Sequence, residues 1–221
     1  DLQAVWLTAL LAGVTTLLLF PIASPLAWWL ARSDSKGRSL VEAVVAMPLV
    51  LPPTVLGFYL LVMLNPESFV GGLWVNMTGK SLTFSFSGLV IASVIYSLPF
   101  MVQPLHATFR AVPEPVLEAA ATLGASPRDQ WLNVVLPLAK RGYLTGGVLT
   151  FAHTVGEFGV VLMMGGNIPG ETRVLSIAIY EHVETLNYQA AHSLALGLMC
   201  FSFLSLWLVY RYAGHRFEVV R

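Results

Sequence analysis

Few side chains in the long apolar stretches of this sequence could do chemistry, and the sharpest is the carboxyl of Gly156-Glu157-Phe158-Gly159. A charged group near the centre of a bilayer costs roughly 3 kcal/mol unless it is paired or wetted. Glu157 is therefore a candidate for gating or proton transfer, with a structural carboxyl bonded to a neighbouring helix as the alternative. His153, one turn earlier, reads first as a packed partner within the bundle and second as a relay. Another signal is Met47-Pro48-Leu49-Val50-Leu51-Pro52-Pro53-Thr54. Its three closely spaced prolines rule out a regular helix, and broken backbone at membrane depth is tolerated only where protein or a watery cavity satisfies the freed groups. Pro52, Pro53, Thr54, Gly156, Glu157 and Gly159 are accordingly the candidate pathway or gate residues, a kinked packing helix being the alternative for the proline run. The nearest approach to a phosphate loop is Gly79-Lys80-Ser81, but the glycine required five residues earlier is Trp74. No catalytic residue or metal site is assigned: the single cysteine, Cys200, precludes an internal disulfide, and the five histidines lack ligand spacing.

These residues need a membrane scaffold. Hydrophobic residues make up 56% of the 221 and charged residues 11%, well below the ~25% charged of soluble proteins. The fold expected is an all-α polytopic membrane protein in one domain, with five transmembrane helices near 6–30, 43–64, 86–109, 142–165 and 190–210. The first run is too long for a signal-peptide core and lacks a basic leader, so it reads as a retained span. Pro99 and Pro104 kink the third span, Gly142 and Gly146 suit close packing in the fourth, and 172–183 suits a short helix. Zero net charge argues against nucleic acid and leaves the lipid bilayer as the medium. Arg32, Lys36, Arg38, Arg110, Arg128, Lys140, Arg141, Arg211, Arg216 and Arg221 fall on one side of this topology, with only Lys80 and Arg173 opposite. The N-terminus should then face outside and the C-terminus the cytoplasm.

Between the third and fourth spans, residues 110–141 hold a third of the Lys and Arg. Pro115 suits the opening of a helix that Gly124 stops; Ser126, Pro127 and Asp129 suit the start of a second, which Pro137 disturbs. Glu118-Ala119-Ala120, then Gly124, then Val134-Val135-Leu136-Pro137 resembles the EAA loop of ABC importer permeases, with Val134 where Ile is usual. That resemblance implies a cytoplasmic helix-turn-helix, carried here by Glu118, Ala119, Ala120, Gly124, Leu136 and Pro137, that docks in a groove of a separate ATPase. Leu49-Val50-Leu51-Pro52-Pro53, Gly156-Glu157-Phe158-Gly159 and Asn167-Ile168-Pro169-Gly170-Glu171-Thr172-Arg173 flank the loop in this order. Over nearly the whole chain they make it similar to permeases of the molybdate, tungstate and sulfate importer group. The resemblance implies a cytoplasmic (inner) membrane permease for molybdate, or alternatively tungstate or sulfate. It also implies a second copy of the chain, two ATP-binding cassette subunits and an external molybdate-binding protein as partners. ATP and magnesium would belong to the ATPase, with no cofactor in this chain and no enzyme activity of its own. From another class, a proton-coupled secondary transporter working through Glu157 is the rival. No Lys or Arg lies inside the five spans, so an oxyanion would be held weakly there and selected upstream.

Overall fold

The long helix α1 (Leu2–Arg32) runs the full height of the molecule and packs along α5 (Phe86–Arg110) and α8 (Leu136–Gly156). The computed structural model describes residues 1–213; Arg216 and Arg221, counted above among the cations, lie outside the described residues. Between α1 and α5 come α2 (Arg38–Ala46), a 3₁₀ turn (Met47–Leu49), α3 (Pro53–Leu64) and α4 (Phe69–Thr78). Between α5 and α8 come α6 (Glu114–Thr122), α7 (Pro127–Gln130) and a π-helical turn (Trp131–Val135), and the chain continues with α9 (Gly159–Gly165), α10 (Leu175–Glu184) and α11 (Tyr188–Ala213). Every regular element among the described residues is helical. Three helices, α1, α5 and α11, are long and apolar enough to cross a membrane, and five spans result if two bent pairs each count as one.

Small residues set the central packing, because lipid tails are as apolar as leucine and close van der Waals approach must supply the attraction. Buried Ala23 and Ala27 recur at four-residue spacing on α1. On α8, a Cβ added at Gly142 would lie 2.4 Å from Thr108 Oγ1, and one at Gly146 would lie 2.8 Å from Met101 Sδ, so α5 and α8 touch at both glycines. Hydroxyls on these helices bond back one turn: Ser24 donates to Phe20 O at 2.5 Å and Thr108 donates to Pro104 O, while Tyr143 donates across to Ser24. Two cores follow. One joins Leu7, Leu11, Leu60, Leu89, Val160 and Met164; the other joins Leu19, Leu30, Met101, Leu105, Phe109 and Val135.

Three stretches show their breaks in detail. The stretch 43–64 is irregular, as its prolines require: the helix ending at Leu49 and α3 meet at 109°, because Pro52 and Pro53 offer no amide hydrogens to carry the ladder across. Residues 142–165 are likewise two helices, bent by 60°. Glu157 is extended (φ −69°, ψ 131°), and its carbonyl accepts from the Ser176 hydroxyl at 2.5 Å. Pro137 disturbs the second hairpin helix, as expected, without ending it. The π turn lets Leu136 N–H reach Trp131 O, five residues back, so the helix passes through the proline into α8. The segment 65–80 also holds α4, whose N-cap Ser68 accepts from Gly71 N–H at 3.0 Å.

Candidate functional site

The hairpin 110–141 is written locally. After α6, Gly124 takes φ +83° while its N–H donates to Ala121 O and that of Ala125 donates to Ala120 O. This paired closure of a helix end uses a left-handed residue best supplied by glycine. The next helix opens on a reciprocal box: Ser126 Oγ accepts from Asp129 N–H at 3.2 Å, and Asp129 Oδ2 accepts from Ser126 N–H at 3.1 Å. The Ser126 hydroxyl also donates to Asp129 Oδ2 at 2.5 Å, and this bond first, with that from Ser126 N–H second, holds the Asp129 carboxyl below the usual carboxylate range. The box is therefore intact at neutral pH and is lost only as acid protonates Asp129 below its ordinary range.

What the hairpin lacks is cover. No residue of α6 is buried, and Glu118, Ala119 and Gly124 are exposed while Ala120 is half-buried. Leu123 is 88% exposed, with Val116, Leu132, Leu136 and Leu138 also open, a cluster of large apolar side chains on one end of the molecule. Only the root is gripped. Trp131 meets Trp28 edge-on at 5.1 Å and Phe109 at 5.5 Å, and the Arg32 guanidinium lies 5.0 Å over Trp28. Arg32 Nη2 also donates to Val112 O at 2.7 Å, closing the end of α5. Trp28 and Arg32 are not evident as partners of the hairpin from sequence, since 77 residues or more separate them from what they touch.

The second constellation lies at the α8–α9 break. Pro53, Thr54, Gly156, Glu157 and Gly159 line one cavity of about 580 Å³. Pro52 is exposed and lies outside that lining set. Glu157 is 4% exposed; its Oε2 accepts from Ser93 Oγ at 3.0 Å, and its Oε1 has no partner among the described residues. One turn along α5, Ser97 Oγ bonds Thr154 Oγ1 at 3.0 Å and His153 Nδ1 at 2.9 Å. His153 therefore sits against Ser97 rather than pairing Glu157. Ser93 and Ser97, four apart in an apolar span, are the sequence signal of this polar seam. Gly159 permits close approach: a Cβ there would stand 2.7 Å from Pro53 Cβ, and one at Gly57 would stand 2.8 Å from Met163 Cβ. The α3 and α9 backbones thus meet through two glycines.

Residues 23–215 match the family described as binding-protein-dependent transport system inner membrane component. The chain is 54% identical over 218 residues to the molybdenum transport system permease protein ModB of Azotobacter vinelandii, covering 99% of this chain and 96% of that one. It belongs to this family of binding-protein-dependent permeases, in the ModB branch. The ModB protein of Escherichia coli K12 is 36% identical over 183 residues, 83% of this chain and 80% of that one. A chain from the crystal structure of a bacterial alginate ABC transporter, in complex with an alginate pentasaccharide-bound periplasmic protein, superposes with a TM-score of 0.73. At 17% identity, covering 95% of this chain and 77% of that one, it shares the fold alone. As a ModB-branch permease the chain is a multi-pass inner-membrane transport subunit and not itself an enzyme.

Proposed function

We propose that this chain is the membrane subunit of an ATP-driven molybdate importer, acting as a homodimer with two ATP-binding cassette subunits and an external molybdate-binding protein. The observation that carries the substrate is the 54% identity, sustained over 99% of the chain, to a molybdenum permease. The uncovered hairpin supports the ATPase partner: its turn is closed by local hydrogen bonds while its apolar side chains, Leu123 above all, lie open. ATP and magnesium are then the partner's, and Glu118, Ala119, Ala120, Gly124, Leu136 and Pro137 belong to the docking segment. The cation asymmetry puts that segment and the C-terminus in the cytoplasm and the N-terminus outside.

Within the membrane the anion passes the cavity beside Pro53, Thr54 and Glu157. No Lys or Arg lines it, so hydroxyls such as Thr54 and the backbone amides freed at the breaks provide weak, short-lived contacts, and selection rests with the binding protein. Vesicles holding this chain, its ATPase and a molybdate-loaded binding protein should take up labelled molybdate only when ATP is supplied. Uptake that persists without ATP would sink the importer reading, and uptake of sulfate in preference to molybdate from a donor loaded with either would replace the substrate.

Orientation has its own check. With Cys200 first replaced, Ser35→Cys and Arg128→Cys should resist impermeant thiol reagents in intact cells, whereas Glu67→Cys should label. External labelling at residue 128 would place the hairpin out of an ATPase's reach.

A further inference from the structure

We infer that His153 is an oxyanion-contacting residue of the pathway that becomes cationic only while the anion is beside it; this rests on the importer reading above. The Thr154 hydroxyl donates to Thr150 O at 3.0 Å, so towards Ser97 Oγ, 3.0 Å away, it acts as acceptor. That uses the Ser97 proton, and Ser97 Oγ must in turn accept from His153 Nδ1 at 2.9 Å. Nδ1 therefore carries hydrogen, and in the neutral ring Nε2 is a bare lone pair.

His153 lines the cavity together with Thr54, Tyr96 and Glu157. A bare lone pair repels an oxyanion oxygen, but Nε2 with one added proton donates to it with charge assistance. The proton enters from the watery cavity as the anion arrives and returns there as the anion leaves, so no other group changes its bonding. The ring stacks on Phe100 with centroids 3.9 Å apart at 25°, and it lies 4.8 Å from Tyr96. Aromatic faces attract cations. Among the described cavity residues the titratable groups facing it are Tyr96 from α5 and Glu157 from the α8–α9 break, while α3 contributes Pro53 and Thr54, which do not titrate. In a passage without Lys or Arg, His153 supplies a positive charge that vanishes on release.

The test uses the whole importer complex in lipid, ¹⁵N-labelled at histidine and studied by solid-state NMR, with His153→Gln assigning the signal by difference. Without anion the ring should show protonated Nδ1 and bare Nε2; molybdate should convert it to imidazolium. In uptake assays, apparent affinity for the anion should weaken on the order of tenfold per pH unit on the alkaline limb, and His153→Gln should flatten that limb. A resting ring protonated at Nε2 would overturn the inference. So would a His153 signal unmoved by molybdate, tungstate and sulfate alike, or an alkaline limb that survives in His153→Gln. Conversion by sulfate but not by molybdate would instead overturn the substrate reading and leave His153 in its role.

Discussion

Gly159→Val should abolish most uptake while leaving the ATPase bound. The added Cβ falls 2.7 Å from Pro53 Cβ, and a proline ring has no rotamer by which to retreat. Overpacking of this kind typically costs about 1–3 kcal/mol. Here the strain falls on the two broken elements, α3 and α9, that enclose the cavity, and the hairpin that meets the ATPase is untouched. Uptake in vesicles should drop at least about tenfold, in line with that cost, while co-purification with the ATPase stays at the wild-type level. Normal uptake would mean that the α3–α9 seam moves freely during transport and that its glycines set nothing. Gly57→Val, which meets Met163 Cβ and Val160 Cα, should fail in the same way from the other side.

Glu157 gives the second large effect, and it separates hydrogen bonding from charge. A glutamine keeps the acceptor that Ser93 Oγ needs, whereas alanine leaves a fully buried serine hydroxyl without its partner and opens a void at the bend. Such an orphaned group costs about 1–3 kcal/mol, and the void adds to it. Glu157→Gln should retain uptake within about threefold, below the scale of one lost hydrogen bond. Glu157→Ala should lose most uptake and also melt at lower temperature in detergent. Equal, complete loss in both variants with unchanged melting would assign Glu157 a charge or proton role in place of a structural one.

The parts of this molecule legible in sequence are those governed by neighbours in the chain. Gly124 with Ser126, Pro127 and Asp129 spelled out the hairpin turn because each bond there spans five residues or fewer. The prolines at 48, 52 and 53 announced a break, but its 109° angle is set by how α3 lies on α9. The short helices α2 and α4 went unread. Helix α4 carries Gly71 and Gly72 in its first turn, which mask its helical signal. Glu157 was conspicuous as a lone carboxyl, while its partners Ser93 and Ser176 lie 64 and 19 residues away. Nothing local to residue 157 points to either.

The continuous helical run from Pro127 to Gly156 has the geometry of a lever. It packs on α5 at Gly142 and Gly146, and Gly142 lies about 22 Å from one end and about 21 Å from the other at 1.5 Å per residue. A rod held there turns about that point as a fulcrum. With such nearly equal arms, a tilt of about 10° carries the two ends some ~4 Å in opposite directions. Moving its hairpin end one way would thus carry the 60° elbow beside Glu157 a similar distance the other way. The glycine contact with α5 supplies the change of sign.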